Sequence, residues 1–491
     1  MKSQGEGLNV ISQNLSNVNT LGYKQLSIQY SDLMSQYMTS ASNNMTGMSQ
    51  QGLGAAPGSV RTIFTQGGHE IASSSTDLYI DGLGFFGVNK DGQMRYTRAG
   101  NFRFDSSGSL LDPGGWGVMG LPIVNGVTGS QSEPVQLDMN ASGVGSVDPR
   151  ASSLVEISSN LGGLENKIPS TGNPFFSLAS SWKGQATPPL AAGSYSYSDT
   201  AQFYDAEGAL RTATLYYDLA GTSGGNSAVE YVLAIAPDQD GSGLADTNAA
   251  GLLMAGTMTF ASNGAMVGMT AFSPPGDGDP ANLAGWTPAG LQNGKPVFSV
   301  TSGKGGAQSI ALDTGFTFGS QGAGAGLSSA AEAAAGAENI YRAQADATVE
   351  NTSYTMMGTS PGLIRSSNDG YPSGSLRDVV VGRDGVVKGI YSNGQEQGLY
   401  QLTLYRFTSQ DGLRHEGGNH YSATQESGPA EEGLPGSENF GALTANALEQ
   451  SNVDYAREFS LLIVTQRGSQ MNSKVITTSD ALLQKALELK R

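Results

Sequence analysis

The longest stretch of helical periodicity lies at the end of the chain, from Asn446 to Arg491. Its apolar and small residues recur in steps of three and four, the pattern of a helix that packs lengthwise against other helices. A helix from Val453 to Lys490 within this stretch would extend roughly 55 Å at about 1.5 Å per residue. A helix of this length with a narrow apolar seam requires a partner. The seam consists of Leu461, Val464, Gly468, Met471, Val475, Thr478, Leu482, Ala486 and Leu489.

The start of this helix carries a capping signal. We expect Ser451 to cap the helix and Asp454, three residues later, to lie at the positive end of the helix dipole. The helix would then begin near Val453.

A second, shorter seam lies within residues 1–30, and Gly22 suits the left-handed position that follows a helix. Two arrangements fit both seams: a hairpin of the two terminal helices within one chain, or helices that form only between subunits, because each seam is narrow. Either way the sequence predicts an α-helical coiled-coil domain formed by both termini. The shorter seam consists of Leu8, Ile11, Leu15 and Val18.

The composition of the middle of the chain favours β structure. Glycine makes up 69 of 491 residues, about twice its usual share, and charged residues only 14%. From Gly67 onwards, short strands alternate with hairpin signals such as Asp81-Gly82 and Asp91-Gly92. We therefore expect a multidomain, mainly β protein whose outer domains are barrel-like or sandwich-like and are built of hairpins.

The order of these segments is nearly symmetric, with the N- and C-terminal parts paired around an insert that lies farthest from the termini. At roughly 150 residues per domain, the length of the chain suggests about three domains. The segments that connect them are recognised by their high content of Ser, Gln, Pro and Gly. The predicted parts are a terminal helical domain (1–30 with 450–491), an extended linker (31–66 with 435–449), a β domain (67–163 with 353–434) and an inserted outer β domain (164–352).

Charge and composition exclude several classes of protein. The net charge of −17 argues against a nucleic-acid partner, since binding phosphates requires Lys and Arg. The chain has no cysteine, which excludes disulfides and thiolate metal sites. The sequence contains no run of about 18 apolar residues, so we expect no membrane insertion. The first residues lack the apolar block of a secretory signal peptide, so export would need another route.

No motif supports catalysis or cofactor binding. His415 and His420 resemble the zinc-protease pattern H-E-x-x-H, but they are five residues apart and would not share a helix face. The segment at Asp238 resembles the start of a calcium loop, yet Ala249 stands where the closing glutamate belongs. We expect no metal, no cofactor and no enzymatic activity. The competing class is a soluble β-rich binding protein or enzyme with a stabilising helical hairpin.

Both ends of the chain resemble signatures of bacterial flagellar axial proteins. The N-terminal run is VISQNLSNVNTLGYK (Val10–Lys24), and the C-terminal run is ALEQSNVDYAREFSLLIVTQRGSQMNSKVITTSDALLQ (Ala447–Gln484). Two such signatures at opposite ends of one chain are specific to this family. The signature residues are Asn14, Asn17, Asn19, Thr20, Gly22, Tyr23, Ser451, Asn452, Asp454, Gln466, Arg467 and Gly468.

The middle of the chain narrows the resemblance to hook proteins. The run YTRAGNF at Tyr96–Phe102 occurs widely among rod and hook proteins. Three later segments resemble hook proteins: Tyr-Asp-x-x-Gly at Tyr204–Gly208, DGYPSGSLRDVVVGRDGVVKGIYSNGQ at Asp369–Gln395, and Gly417-Gly418-Asn419 leading to Ser427-Gly428 and Pro435-Gly436. Rod proteins are similar at both ends but much shorter. Hook proteins usually have a longer helix before the N-terminal signature, so we expect either a misplaced start codon or the loss of part of that helix.

The resemblance implies a structural subunit that self-assembles into the curved tubular hook, a universal joint that transmits torque from the rod to the filament. It implies as partners other copies of the chain, distal-rod and hook–filament junction proteins, the hook cap during assembly and the flagellar type III export apparatus. The location would be extracellular, in the flagellum, reached without a cleaved signal peptide. The alternative within the family is a distal-rod or hook-associated protein.

The two seams would then form the inner tube and the β domains its outer layers. Helices packed in seams would resist axial slip, and glycine-rich β domains would slide on their neighbours. The residues expected at the assembly interface are Leu8, Ile11, Leu15, Val18, Leu461, Val464, Gly468, Met471, Val475, Leu482 and Leu489.

Overall fold

The chain is mainly β, as predicted, with 41% of its residues in strands and 16% in helices. It divides into two compact units: unit 1, Met1–Val147 with Ser375–Arg491, and unit 2, Asp148–Gly374. The computed structural model describes residues 2–33, 36–39, 48–51, 54–124, 126–138, 144–168, 175–301, 306–344 and 346–488.

The longest helices lie near the two ends of the chain, and the short α-helices of the described residues lie within unit 2. The helices are α1 (Lys2–Ser16), α2 (Ser177–Ser181), α3 (Ala330–Ala335), α4 (Ala337–Ile340) and α5 (Tyr455–Glu488). The strands up to the end of the first part of unit 1 are β1 (Leu26–Asp32), β2 (Gln36–Thr39), β3 (Met48–Gln51), β4 (Ala55–Thr62), β5 (His69–Ile71), β6 (Leu78–Asp81), β7 (Phe85–Lys90), β8 (Gln93–Thr97), β9 (Arg103–Phe104), β10 (Leu110–Leu111), β11 (Gly117–Val124), β12 (Val127–Thr128), β13 (Glu133–Pro134) and β14 (Ser146–Val147).

The strands of unit 2 are β15 (Leu154–Asn160), β16 (Tyr197–Tyr204), β17 (Leu210–Ser223), β18 (Asn226–Ile235), β19 (Leu252–Phe260), β20 (Met266–Met269), β21 (Phe272–Ser273), β22 (Thr287–Pro288), β23 (Leu291–Gln292), β24 (Lys295–Thr301), β25 (Ala307–Asp313), β26 (Phe316–Thr317), β27 (Thr348–Val349) and β28 (Gly362–Asn368). The remaining strands belong to unit 1: β29 (Gly374–Val381), β30 (Val386–Tyr391), β31 (Glu396–Leu402), β32 (Leu404–Arg406), β33 (Arg414–Gly417), β34 (His420–Ser422), β35 (Glu431–Gly433), β36 (Ala442–Ala445) and β37 (Ala447–Glu449).

The start of α5 differs from the prediction. Asp454, and not Ser451, caps the helix, because the Asp454 carboxylate accepts the backbone N–H of Arg457 at 3.1 Å. The Ser451 hydroxyl instead accepts the N–H of Val453 at 3.3 Å, ahead of the helix. The neighbouring Asn452 side chain is bonded to two other segments of unit 1, which holds this stretch extended and delays the helix to Tyr455.

The N-terminal helix is shorter than the seam suggested. It ends at Ser16, so Val18 lies in the turn that follows it. Gly22 has a φ of 68°, which confirms the left-handed position predicted for it. The connector after it is extended and forms a ribbon, in which β1 and β4 pair antiparallel from Leu26 opposite Thr62 to Asp32 opposite Ala55.

The main sheet of unit 1 joins its two sequence segments. Its path is β14-β29-β30-β31-β11-β7-β8-β34-β33, so β11 of the first segment pairs with β31 of the second. The hairpin at Asp91-Gly92 is confirmed, with β7 paired to β8. The prediction of a hairpin at Asp81-Gly82 is wrong, because β6 pairs with β36, which is distant in the sequence. The Arg98 guanidinium accounts for this, since it binds the carbonyl of Gly82 and fixes the chain there.

The two largest sheets of unit 2 share one apolar core, and β26 and β27 form a separate two-stranded sheet. The first has the order β16-β17-β18-β19-β21-β22, and the second β23-β24-β25-β15-β28. Leu215 and Tyr231 of the first sheet and Val155 and Ile310 of the second belong to the same buried cluster. Over the described ranges, the first and last strands of each sheet do not pair with each other. These sheets therefore do not form a closed barrel, which was one of the two expected forms.

The core of unit 2 allows a matched test on one strand. Leu215 is fully buried on β17 and Leu210 is half-exposed on the same strand. Leu215→Ala should lower the free energy of unfolding by about 2–5 kcal/mol, because it removes buried methyl groups and leaves a cavity. Leu210→Ala should change it by less than about 0.5 kcal/mol. Denaturation followed by tryptophan fluorescence measures both, and equal effects would contradict the assignment of the core.

Candidate assembly site

The two ends of the chain meet at a buried ion cluster in unit 1. Lys24 Nζ lies 2.6 Å from Glu449 Oε1, and both side chains are fully buried. Lys24 Nζ also donates to the carbonyl of Thr65 at 2.8 Å, and the N–H of Gly67 donates to Glu449 Oε1 at 2.9 Å. Arg98 Nε lies 3.1 Å from Glu449 Oε2. We call this cluster of Lys24, Arg98 and Glu449 the junction.

The positive charges of Lys24 and Arg98 are stabilised by backbone carbonyl groups as well as by the Glu449 carboxylate. Arg98 donates to the carbonyls of Gly84 at 2.7 Å and Gly82 at 2.9 Å. Burial lowers the pKa of Lys24 and of Arg98, and the negative charge of Glu449 opposes this in both. A buried ion pair stabilises a fold only when its remaining donors and acceptors are bonded. In the junction Glu449 Oε1 is hydrogen-bonded, whereas Glu449 Oε2 has no hydrogen-bond partner among the described residues and faces only the charge of Arg98.

Asn14 fixes the reversal of the chain after α1. Its side chain is almost fully buried, and it both accepts the N–H and donates to the carbonyl of Leu26, each at 2.8 Å. The Tyr23 hydroxyl donates to Asn14 Oδ1 at 3.3 Å, and burial raises the pKa of Tyr23. A side-chain amide can pair with one residue in this way because it carries the same donor and acceptor as a peptide group.

The turn at Gly22 requires glycine for two reasons. Its φ of 68° favours glycine, and a Cβ there would lie 2.5 Å from the backbone nitrogen of Ala99. The N–H of Gly22 donates to the carbonyl of Glu449 at 2.8 Å, which ties this turn to the C-terminal segment.

The other signature residues of this turn serve it locally. Asn17 donates to the carbonyl of Gln13 at 2.9 Å, and the Thr20 hydroxyl donates to Asn17 Oδ1 at 3.1 Å. Asn19 is exposed. The turn thus continues the end of α1 with side-chain bonds in place of helical ones.

Asn452 joins three segments in front of α5. Its Oδ1 accepts the N–H of Gln25 at 2.7 Å, and its Nδ2 donates to the carbonyls of Ile63 at 2.8 Å and Thr65 at 3.0 Å. Gln25 also donates through Nε2 to Glu458 Oε1 at 2.5 Å, within the first turn of α5. The start of α5 is therefore fixed to the ribbon and to the segment after α1.

Beyond this anchored start, α5 exposes its apolar seam. Gln466 and Arg467 are also exposed, Gly468 is half-buried, and Leu489 lies outside the described residues. We call the described residues of the expected assembly interface on this helix, Leu461, Val464, Gly468, Met471, Val475 and Leu482, the α5 seam. The exposed fractions of its large side chains are 41% for Leu461, 67% for Val464, 67% for Met471, 65% for Val475 and 66% for Leu482.

Helix α1 contacts α5 along a face that includes Gly468 of the α5 seam, where a Cβ would lie 2.9 Å from Gln4 Nε2. Asn472 Nδ2 donates to Gln4 Oε1 at 2.8 Å, and a Cβ at Gly7 would lie 3.9 Å from Thr465 Cγ2. Of the N-terminal seam, Ile11 is buried, and Leu8, Leu15 and Val18 are half-buried. The two terminal helices of one chain therefore touch, yet this contact leaves the large apolar side chains of the α5 seam exposed.

Sequence reasoning missed part of this site. Arg98 and Glu449 were not singled out, although a charged residue next to a signature in a chain with only 14% charged residues is a usable signal. Further exposed apolar side chains on α5 also lie outside the seam pattern. These are Phe459, Ile463, Ile476, Leu483 and Leu487.

The histidines that were considered as metal ligands lie on two strands, β33 and β34. His420 Nε2 lies 2.6 Å from Asp112 Oδ2, which gives this ring a carboxylate partner. In the described part of the chain no group of three His, Cys, Asp or Glu side chains is placed to hold a metal ion. No helix among the described residues has the length and apolar character needed to cross a bilayer.

The junction predicts a large effect for Lys24→Met. The change leaves the buried carboxylate of Glu449 short of a charge partner, so the free energy of unfolding should fall by about 3 kcal/mol. Lys90→Met, at an exposed lysine, is the control and should change it by less than about 0.5 kcal/mol. Chemical denaturation measures both variants. The double variant K24M/E449Q should lose less than the sum of its single changes, and strict additivity would contradict the coupling.

Three family models match successive parts of the chain. The Flagellar hook protein FlgE/F/G D1 domain matches residues 79–148, and the Flagellar basal body protein FlaE D2 domain matches residues 170–371. The Flagellar basal body rod FlgEFG protein C-terminal model matches residues 444–489. The last match contains the start of α5 and the α5 seam.

Relatives named flagellar hook protein FlgE are similar over nearly the whole length. The one from Treponema pallidum is 28% identical over 505 residues, which cover 100% of this chain and 98% of the relative. The one from Escherichia coli is 27% identical over 494 residues, with the same shares. A crystal structure of Helicobacter pylori flagellar hook protein FlgE2 gives a TM-score of 0.43 at 15% identity and covers 78% of this chain and 100% of that chain. The domain and full-length matches together place the chain in the flagellar hook protein family.

Proposed function

We propose that the protein is a structural subunit of the flagellar hook, a curved tube of many copies that transmits torque from the rod to the filament. The observation that carries this function is the exposed α5 seam on a long helix whose first turn is fixed to a folded unit. The sequence matches support it, since they extend over nearly all of a hook protein and not only over the ends that rod proteins share.

The α5 seam has the character of a surface that is covered in an assembly. Its apolar side chains line one side of a helix of 34 residues, and contiguous exposed apolar surface of this kind marks an interaction site in soluble proteins. Burying each side chain against another copy would contribute on the order of 1 kcal/mol. We infer that α5 packs against α5 and α1 of other copies in a coiled coil that also includes Leu8, Ile11, Leu15 and Val18.

The partners and location follow from the same function. We infer that the chain assembles with itself and meets distal-rod and hook–filament junction proteins at the two ends of the tube. A hook cap would assist assembly, and the flagellar type III apparatus would export the chain without a cleaved signal peptide to the cell exterior. The role is structural, with no catalytic step. The four-part division of the chain, with an outer insert at 164–352, stays a prediction.

A charge placed on the α5 seam should block assembly and spare the fold. Val475→Asp introduces a carboxylate at a side chain that is exposed in the single chain, so the free energy of unfolding should change by less than about 0.5 kcal/mol. Burying that charge between copies would cost several kcal/mol, so tubes should not form. The control is Thr477→Asp, which adds the same charge at an exposed position two residues away, off the seam.

Negative-stain electron microscopy of the purified chain under polymerising conditions, and of sheared cell-surface appendages, tests these variants. Wild type and Thr477→Asp should give short curved tubes, and Val475→Asp should give none. Normal tubes from Val475→Asp would overturn the role of the seam. Persistent absence of tubes from wild type would favour the soluble β-rich binding protein or enzyme instead.

Gly468→Leu should impair assembly more than folding. In the single chain a Cβ at Gly468 would meet only the end of the flexible Gln4 side chain, 2.9 Å from its Nε2, so the fold can adjust. Leucine is also the better helix former by about 0.8 kcal/mol. In the polymer the added bulk lies where helices approach each other. Helical content by circular dichroism should be unchanged while swimming is reduced, and wild-type swimming with normal hooks would count against close packing at this position.

A further inference from the structure

Two carboxyl groups lie side by side inside unit 2. Asp218 on β17 and Glu230 on β18 are direct partners in the antiparallel register, and each residue is 1% exposed. Side chains in such pairs have Cβ atoms about 4.5–5.5 Å apart. Among the described residues, neither group forms an ion pair with Lys or Arg. Like charges so close in a buried place are costly unless one group stays neutral.

The pair lies on the side of the sheet that faces away from the shared core. Tyr217, Val229 and Tyr231 on these strands belong to the core between the two sheets. Ala228 and Val232, which flank Glu230 in alternation, belong to a second buried cluster on the other side. The two carboxyl groups therefore point toward that second cluster.

The second cluster is covered by a segment that the two carboxyl groups hold in place. We call residues 165–168 and 175–182 the strap. Asp218 accepts the N–H groups of Lys167 at 3.0 Å and Ile168 at 3.2 Å. Glu230 accepts the Ser177 hydroxyl and the N–H of Leu178, the latter at 3.2 Å.

The strap also buries large apolar side chains against the sheet. Phe175, Phe176, Leu178 and Trp182 are each at most 3% exposed and pack in the second cluster. The Trp182 indole N–H donates to the carbonyl of Ala250 at 2.9 Å. Opening of the strap would therefore expose an apolar surface on this side of the sheet.

The charges around the pair are few. Burial raises the pKa of Glu230 to about 8, and the negative charge of Asp218 acts in the same direction against the bonds from Ser177 and Leu178. Burial also raises the pKa of Asp218, which the nearby Lys167 opposes. On the other neighbouring strand, β19, Glu230 faces the uncharged Thr257. The exposed Glu165, which pairs with Lys167, completes the charged groups of the strap.

We propose that the strap is a pH-sensitive element. At neutral pH, Asp218 and Glu230 together hold one proton. When hydroxide in the solvent removes this proton, the strap opens more readily while the sheets stay folded. Glu230 binds its proton more tightly under the closed strap than a free glutamate does. The closed state is thus favoured most at low pH, and this contribution is lost as the pH rises through about 8.

Hydrogen exchange on the full chain, measured by mass spectrometry and corrected for the chemical exchange rate, tests this proposal. In wild type the opening equilibrium of a peptide that covers 175–182 should rise about tenfold per pH unit between about pH 5 and 8 and level off above. Glu230→Gln should remove this slope, since the amide does not titrate. Glu165→Gln, which removes an exposed acid of the same strap, should retain it.

A flat profile in wild type, or the same slope in Glu230→Gln, would overturn the proposal. Should Glu230→Gln fail to fold, infrared spectroscopy of the wild type decides the question. The carbonyl band of a buried protonated carboxyl group should be present at neutral pH and disappear with a midpoint near pH 8. Its absence at neutral pH would show that the pair holds no proton and would equally overturn the proposal.

Discussion

The buried pair of Lys24 and Glu449 joins residues that are 425 positions apart in the sequence. Burial of these charges costs energy that the pair recovers only through its additional bonds, to the carbonyl of Thr65 and from the N–H of Gly67. Arg98 adds a second cation and fixes the chain at Gly82. The turn after α1, the ribbon and the segment before α5 all meet at this point, so their arrangement depends on it.

The family signature divides into two groups by what its residues contact. Asn14, Gly22 and Asn452 are used within the chain, where amide side chains and a left-handed turn fix the junction. Gln466 and Arg467 on α5 are exposed, beside the α5 seam. A substitution in the first group therefore removes contacts within the single chain, whereas one in the second group changes a side chain that is exposed in it.

Local patterns predicted those parts of the structure that depend on neighbouring residues. The period of α5 and the turn at Asp91-Gly92 are local, and both were predicted. The pairing of β6 with β36 and the junction depend on residues distant in sequence, and neither was predicted. Asp218 and Glu230 lie on adjacent strands, where a charged residue suggests an exposed position, but both are buried on the side of the sheet that the strap covers.

The division of the chain into units has a consequence for the order of folding. Unit 2 is one continuous segment, so every contact within it is available once residue 374 has been made. Unit 1 cannot form all its contacts until its second segment has been synthesised. The partners of β11, β6 and Lys24, which are β31, β36 and Glu449, all lie in that segment. Long loops slow such closures. The first segment of unit 1 is thus synthesised before unit 2, but its contacts with residues 375–491 can form only after unit 2 has been synthesised.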